Sequence, residues 1–285
     1  MRLVHGDNLR QKETHRTKYR DAESHNYLVE IRTEYDKWYA ANMALLGPGV
    51  AQSSHDKQII AERVDLLERY KSFVDQQQYA EKFDSRSNLH STVLEEFLYY
   101  LFKDLVSEFG EHALIGKSHT FKDIFFLPPR YSDMVNRPYA RIEKKDHDFV
   151  IGTTIEAAFS SSISPLENED PEESEIIVEK PSEYDEVTVT EDTETHLFDI
   201  PAVAIECKTY LDKTMLEGSS RAAEELKARN PNGIYIVVME RIKLTEQVNL
   251  RKYKVDQIYV LRKQKNTDRE FTFRESYIKN PIDKG

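Results

Sequence analysis

The chain has 285 residues, a formal net charge of −11 at pH 7 and 39% hydrophobic residues. This is enough apolar material for one large domain or two smaller ones. No run of about 18 apolar residues occurs, and the polar N-terminus lacks the apolar stretch of a signal peptide, so we expect neither a membrane span nor secretion. The single cysteine, Cys207, cannot form an internal disulfide, which suits a cytoplasmic protein.

Residues 1–83 predict a helical N-terminal region. Apolar residues recur near a 3.6-residue period between Leu28 and Leu45 and again between Ile60 and Val74, which is typical of amphipathic helices. Gly47-Pro48-Gly49 separates the two stretches. We expect these helices to pack on the main domain, with a docking or DNA-recognition subdomain as the alternative.

Residues 84–285 predict a second region with both helices and strands. An apolar stripe from Leu94 to Leu101 indicates a helix that Ser91 or Asn88 would cap. A strand, helix, strand order in the C-terminal half predicts a crossover in a mixed sheet. The fold class is therefore α/β (α+β), with a central mixed β-sheet flanked by helices. The predicted strands are Phe121–Leu127, Phe149–Ile155, Ala202–Ile205, Ile234–Met239 and Gln257–Leu261, and the predicted helix spans about Asp212–Lys227.

The net negative charge is concentrated in one segment, which we interpret as an insertion at about 160–199. Between Phe159 and Pro201 there are 14 acidic residues and one lysine, so the rest of the chain is close to neutral. The segment contains two short β-like pieces, Ile176–Val178 and Val187–Val189, typical of a hairpin or flap. We hypothesise that it mimics DNA charge and limits non-specific binding, which deletion of Ser161–Asp199 would test at low salt.

Glu206-Cys207-Lys208 follows an apolar strand, Ala202–Ile205. Because side chains alternate along a strand, Glu206 and Lys208 are expected on one face and Cys207 on the other. A carboxylate there can bind Mg²⁺, and a neighbouring ammonium can position water or stabilise charge on a phosphate. Cys207 is interpreted as a small buried hydrophobe, since no histidine lies nearby in sequence to activate it.

A second carboxylate comes from Lys145-Asp146-His147-Asp148, which precedes the apolar run from Phe149. Alternation predicts that Asp148 shares a face with Val150 and Asp146. Asp148 is the stronger metal-ligand candidate because it abuts the apolar strand directly, while Asp146 stays as the alternative. Two carboxylates and a lysine at strand ends suit a Mg²⁺-dependent hydrolytic site.

These residues resemble the PD-(D/E)XK nucleases. Asp148 takes the place of the motif's aspartate and Glu206-Cys207-Lys208 that of (D/E)-X-K, although His147 stands where the family often has proline. The resemblance covers roughly Asp84–Glu240. Three segments carry it most specifically and are similar to type II restriction endonucleases, above all to subunits of the two-subunit enzymes that cut CCTNAGC and CCTCAGC. The segments are Ser85–Phe97, Lys145–Gly152 and Glu206–Gly218.

The resemblance implies that Asp148 and Glu206 bind Mg²⁺ together with the carbonyl of Cys207, and that Lys208 orients the attacking water. It also implies a glutamate from a helix, for which Glu95 is chosen and Glu96 remains possible. Each active site would cut one strand of double-stranded DNA, so a second site is needed from a related subunit or from a second copy of the chain.

Other residues and functions stay open at this point. Some lysines and arginines could contact phosphates, or they could belong to ordinary mixed-charge surfaces. The alternative functions are a structure-specific repair or recombination nuclease of the same fold and a non-catalytic DNA-binding module. The basic candidates are Lys213, Arg221 and Lys227, with Lys144 and Lys145.

Overall fold

A computed structural model of the chain describes residues 3–51, 53–83, 88–126, 140–160, 193–244 and 247–262. Within these ranges, no helix is both long and apolar enough to cross a membrane. The two β-like pieces predicted inside the acidic segment lie outside the described residues.

Four helices form the described part of the N-terminal region. The two predicted from periodicity are confirmed, and they bury the apolar positions that carried the prediction, such as Ile31 and Leu67, both with 0% exposure. The Asp21 carboxylate caps the first of these two helices by accepting a hydrogen bond from the backbone N–H of Ser24. A shorter preceding helix was not predicted, because its sequence is mostly polar. The four helices are α1 (Val4–Glu13), α2 (Ala22–Ala44), α3 (Asp56–Val74) and α4 (Gln77–Lys82).

The apolar helix that follows, α5 (Ser91–Ser107), is also confirmed, but its predicted cap is wrong. The N-cap residue is His90, and no side chain caps the helix there. Asn88 has a φ of 56°, and its carbonyl accepts a hydrogen bond from the Thr92 hydroxyl at 2.8 Å. Asn88 therefore forms the turn before the helix, and Ser91 is the first helical residue.

Within the described ranges, five strands form one mixed sheet in the order β1-β2-β3-β4-β5. The first three pair antiparallel, and β3, β4 and β5 pair parallel, with a helix crossing from β3 to β4 as predicted. The elements are β1 (Ala113–Phe126), β2 (Ala140–Ser160), β3 (Thr193–Leu211), α6 (Lys213–Arg229), β4 (Ile234–Ile242) and β5 (Gln257–Val260).

The first three strands are longer than their apolar runs predicted, because pairing continues through polar residues. Thr193–Asp199 pairs with Thr154–Ser160, so both ends of the insertion drawn at 160–199 belong to this ribbon. The intervening residues 161–192 lie outside the described part of the chain. Asp148 and Glu206 can therefore lie on adjacent strands, β2 and β3, although they are far apart in the sequence.

The sheet separates two apolar layers. On one face, Phe149, Ile205 and Cys207 pack with α5 and the N-terminal helices in one buried cluster. On the other face, Ala204 and Tyr235 pack with α6 in a second cluster. The predicted fold class, a mixed sheet flanked by helices with a helical N-terminal region, is confirmed.

Buried charges connect the helical region to the sheet. The Lys71 ammonium of α3 lies 2.9 Å from a carboxylate oxygen of Glu240 at the end of β4 and 3.1 Å from the Asp75 carboxylate. His90 also contacts Asp75, at 2.9 Å. The side chains of Lys71, Asp75 and Glu240 are at most 1% exposed. Arg262 and Arg241 also lie 3.5 and 3.7 Å from Glu240, but removal of Lys71 takes the nearest cation from a buried carboxylate.

Lys71→Met is therefore expected to lower the free energy of unfolding by about 3–5 kcal/mol. Chemical denaturation followed by circular dichroism measures this loss. Lys57→Met, on an exposed position of the same helix, is the matched control and is expected to change the stability by less than about 0.5 kcal/mol. Equal stability of the two variants would contradict a structural role for the Lys71 ion pairs.

Candidate active site

The predicted catalytic residues meet where β2 and β3 lie side by side. Phe149 pairs with Ile205, and one residue further along, the Asp148 carboxylate accepts a hydrogen bond from the backbone N–H of Cys207 at 3.0 Å. The structure thus brings Asp148 next to Glu206-Cys207-Lys208 although 57 residues separate Asp148 from Glu206 in the sequence.

The Lys208 ammonium lies between the two carboxylates. Its Nζ is 2.9 Å from Glu206 Oε1 and 3.9 Å from Asp148 Oδ2. All three side chains are partly exposed, between 20% and 30%, so solvent and a ligand can reach them. The two carboxylates therefore surround a position that a positive charge already occupies.

Glu206 is held in its charged form by neighbours on three elements. Burial alone would raise the pKa of its carboxyl, but Lys208 and hydrogen bonds from Ser219 and Tyr235 bring that pKa below its ordinary value. The Tyr235 hydroxyl of β4 donates to Glu206 Oε2 at 3.0 Å. Sequence reasoning missed Ser219 and Tyr235, because neither has charge or motif spacing to mark it.

A β-bulge lies at Asp148. One residue of β1, Lys117, stands opposite two residues of β2, Asp148 and Phe149. Such bulges redirect side chains and are common beside active sites. The paired positions on either side of the bulge are Gly116 with Val150 and Ser118 with His147.

The bulge corrects the predicted alternation along β2. Val150 pairs with Gly116, whereas Asp146 pairs with His119, which is three residues further along β1. Directly paired residues share a face, so Val150 and Asp146 lie on opposite faces, and the prediction that they share one is wrong. The reason is the extra residue in β2, which interrupts the period of two.

Asp146, the alternative to Asp148, lies away from the site. Its side chain is 72% exposed and contacts His119 of the neighbouring strand. Asp148, by contrast, is 30% exposed and contacts both Lys208 and the backbone of β3. The geometry thus groups Asp148, and not Asp146, with Glu206.

Helix α5 places Glu95 at the same site. Glu95 is 5% exposed, and among the described residues its Oε2 atom has no hydrogen-bond partner. The nearest cation is Lys117 Nζ at 3.9 Å. Burial first, and the charge of Asp148 second, raise the pKa of Glu95 to about 7, against the lowering effect of Lys117 and Lys208.

Glu96, the alternative to Glu95, is surrounded by hydrogen-bond donors that indicate a structural role. Its Oε2 atom accepts hydrogen bonds from the backbone N–H groups of His5, at 2.8 Å, and Gly6, at 3.0 Å. The Tyr100 hydroxyl donates to Oε1 at 2.6 Å. Glu96 therefore caps the first turn of α1 and fixes that helix against α5.

Helix α1 forms a wall of the cleft that contains the site. The cleft has a volume of about 470 Å³ and includes Glu95, Asp148 and Lys208. Sequence reasoning missed the contribution of α1 because it treated the N-terminus only as polar chain. The residues of α1 that line the cleft are Val4, Asp7, Asn8 and Gln11.

Cys207 is buried, with 2% exposure, on the face of the sheet that packs against α5. Burial raises the pKa of its thiol well above the ordinary value. A protonated, buried thiol is a poor nucleophile, which agrees with its interpretation as a small hydrophobe. Only its backbone is available to the site.

The metal-ligand set is small. Among the described residues, no group of three or more His, Cys, Asp or Glu side chains is arranged to hold a metal ion. The predicted set needs only two carboxylates and one backbone carbonyl. Oxygen donors of this kind suit Mg²⁺. The position of the Lys208 ammonium near both Asp148 and Glu206 shows that the two carboxylates favour a positive charge between them.

The basic residues proposed for phosphate contacts differ in their surroundings. Lys227 is held by the Asp256 carboxylate at 2.5 Å and the Lys254 carbonyl at 3.0 Å, which ties α6 to the segment before β5. Lys145 lies 3.4 Å from Glu225. Lys213 is 70% exposed beside Glu217. Arg221 and Lys144 are exposed.

A family model described as Bpu10I restriction endonuclease matches residues 86–178 and 177–280, more than half of the chain. The chain belongs to the Bpu10I restriction endonuclease family. Members of this family are subunits of type II restriction endonucleases, and the matched ranges contain Glu95, Asp148, Glu206 and Lys208.

A solved structure supports the fold of this Bpu10I-family chain. It is described as the native BbvCI A2B2 tetramer at low resolution, and it matches with a TM-score of 0.63 and 20% identity over 99% of this chain and 90% of that one. At this identity the likeness shows the fold alone. No curated protein matched the chain.

The environment of Glu95 predicts how stability depends on pH in this Bpu10I-family chain. Its folded pKa of about 7 lies above the ordinary value of 4.5, so the folded state binds the proton more tightly than the unfolded state. The free energy of unfolding should then fall as pH rises through this interval, by up to about 3 kcal/mol.

Denaturation in EDTA between pH 4.5 and pH 8.5 tests this prediction. Glu95→Gln is expected to be as stable as the unaltered chain at the acidic end and more stable at the alkaline end, because the amide never carries the buried charge. Parallel stability curves for the two proteins would contradict the raised pKa.

Proposed function

We propose that this chain is a Mg²⁺-dependent nuclease subunit that hydrolyses a phosphodiester of double-stranded DNA at a specific short sequence, using Asp148, Glu206 and Lys208. The observation that carries the proposal is the meeting of these three residues on the adjacent strands β2 and β3, with Lys208 within 4 Å of both carboxylates. Family membership supports nuclease chemistry over a purely DNA-binding role.

Asp148 and Glu206 are proposed to bind Mg²⁺ with the carbonyl oxygen of Cys207. Glu206 is suited to this role because its neighbours keep it charged, and Asp148 because the Cys207 N–H fixes its orientation. Mg²⁺ bound there would neutralise phosphate charge and lower the pKa of an attacking water.

Lys208 is proposed to orient that water and to stabilise the negative charge that grows on the phosphate. Glu206 and Asp148 raise the pKa of its ammonium against the opposing effect of burial, so it is positively charged at neutral pH. Glu95, with a pKa of about 7, is suited to accept a proton from water near physiological pH.

One such site cuts one strand, so a double-strand break needs a second site. We propose that a related subunit supplies it, with a second copy of this chain as the other arrangement. The likeness to a protein solved as an A2B2 tetramer, and therefore containing two kinds of subunit, favours the first arrangement. The domain organisation that we propose is a helical region of residues 1–83 followed by a nuclease domain of residues 84–285 with an acidic insertion at about 160–199.

The proposal is tested by incubating the purified full-length chain with supercoiled plasmids that contain or lack CCTNAGC sites, in Mg²⁺ or in EDTA. Site-dependent nicks in Mg²⁺ alone are expected for one half of a two-subunit enzyme, and linear product for a self-sufficient assembly. Cleavage that depends on DNA branches or ends instead of sequence would favour a repair nuclease, and cleavage in EDTA would exclude the metal-dependent mechanism.

A further inference from the structure

Lys117 reaches the cleft because of the local geometry of β1. The preceding residue, Gly116, has a φ of +110°, and nothing lies within 4 Å of where its Cβ would be. Glycine is therefore favoured there by backbone conformation and not by lack of space. The following residue, Ser118, is buried and donates a hydrogen bond to Asp199 at 2.6 Å. These two neighbours fix β1 on either side of Lys117.

The Lys117 ammonium can donate further hydrogen bonds. Its nearest carboxylate oxygen, Glu95 Oε2, is 3.9 Å away, which is too far for a hydrogen bond. Within the described part of the chain Lys117 has no other ion pair, and its side chain is 39% exposed. Lys208, in contrast, contacts Glu206 at 2.9 Å.

The cleft also needs positive charge to accept DNA. Glu95, Asp148 and Asp7 all line it, and the cations among its lining residues are Lys117 and Lys208. Phosphate groups of the DNA backbone bind through lysine and arginine side chains, which replace condensed counterions. An exposed lysine facing acidic residues in an open cleft has the chemistry for that contact.

We propose that Lys117 is a second phosphate-binding lysine of this cleft, which contacts a backbone phosphate of the DNA strand held beside Asp148. This inference rests on the proposed function. Lys117 lies opposite the bulge residues Asp148 and Phe149. A phosphate bound to Lys117 would therefore lie across the cleft from β3. Lys117 is thereby a substrate-binding residue, distinct from Lys208, which acts on the water and the scissile phosphate.

The competing role for Lys117 is to neutralise Glu95 without touching DNA. The two roles differ in the salt dependence of DNA binding. Loss of one phosphate contact flattens the slope of log Kobs against log salt by about 0.9, whereas loss of an internal ion pair leaves that slope unchanged.

The experiment measures binding of the full-length chain to a fluorescein-labelled DNA duplex by anisotropy, with Ca²⁺ in place of Mg²⁺ and with KCl varied. Lys117→Gln is expected to bind roughly tenfold more weakly at moderate salt, with a slope flatter by about 0.9. Lys117→Arg should retain the affinity and the salt dependence of the unaltered chain. Lys37→Gln, on an exposed residue of α2 outside the cleft, is the control and should match the unaltered chain.

The same loss of affinity is expected when Lys117→Gln is made in a Glu95→Gln background, because the phosphate contact does not act through Glu95. An unchanged affinity and slope in Lys117→Gln, or an effect that disappears in that background, would overturn the inference while leaving the proposed function intact. Absence of DNA binding by the unaltered chain would overturn both.

Discussion

Asp148→Asn is expected to reduce the Mg²⁺-dependent cleavage rate by at least about 10³-fold while DNA binding in Ca²⁺ falls far less. The substitution keeps the size of the side chain and an oxygen that can accept the Cys207 N–H, but it removes the negative charge that the metal requires. Loss of one electrostatic contribution to a transition state commonly costs about 10²–10³ in rate, and loss of a metal ligand also weakens metal binding.

Asp146→Asn is the matched control for that experiment, because it makes the same chemical change two residues away on the same strand. Asp146 is 72% exposed and contacts His119, so its substitution should leave the cleavage rate within about twofold of the unaltered chain. A rate lost in Asp146→Asn but retained in Asp148→Asn would reverse the assignment of the first metal ligand.

Glu96→Ala is expected to lower the free energy of unfolding by about 3–5 kcal/mol, the largest stability effect in the α5 segment. The Glu96 carboxylate accepts hydrogen bonds from His5, Gly6 and Tyr100, and hydrogen bonds to a charged group contribute about 1.5–3 kcal/mol each. Without it, these donors stay buried and unsatisfied. Helix α1 should then detach from α5 before the rest of the chain unfolds.

Glu95→Ala provides the matched control, since Glu95 is the adjacent residue on the same helix. It should not reduce stability at pH 8, because it removes a buried carboxylate whose Oε2 has no hydrogen-bond partner in the described structure. It should reduce the cleavage rate instead. Hydrogen exchange of the α1 amides distinguishes the variants, with protection lost in Glu96→Ala and retained in Glu95→Ala. Equal effects of both substitutions on stability would contradict the two separate roles.

The main elements of the site could be predicted because local patterns carry them. Ala202–Ile205 is uncharged and β-prone, so the charged residues that follow it, Glu206 and Lys208, were predicted at the end of a buried strand. The strand itself was predicted correctly, although β3 continues to Leu211. The same reasoning singled out Asp148 beside the apolar run from Phe149. The family resemblance predicted that Asp148, Glu206 and Lys208 lie close together. The register of β2 with β3 brings them close to one another.

The bulge at Asp148 could not be predicted, because a prediction from strict two-residue alternation of side chains does not account for an extra residue in one strand. It depends on pairing with β1, whose first half has only a three-residue apolar run, Ala113–Ile115, before glycine and polar residues. For that reason Lys117 was missed as a lining residue of the cleft.

The choice between Glu95 and Glu96 also needed tertiary structure. The two residues are adjacent on one apolar helix, and periodicity alone leaves both near its edge. The deciding contacts come from His5 and Gly6, which are about 90 residues away in the sequence. Because α1 is polar, no hydrophobic pattern indicated that it packs there.

The most direct test of the proposed active site is the Mg²⁺-dependent cleavage rate of Lys208→Ala measured beside the unaltered full-length chain, with DNA binding in Ca²⁺ measured for both. The proposed mechanism predicts that the unaltered chain cuts DNA in Mg²⁺ and not in EDTA, and that Lys208→Ala binds DNA but cuts it at least about 10²-fold more slowly. Cleavage by Lys208→Ala at the unaltered rate would contradict the placement of the active site between Asp148 and Glu206.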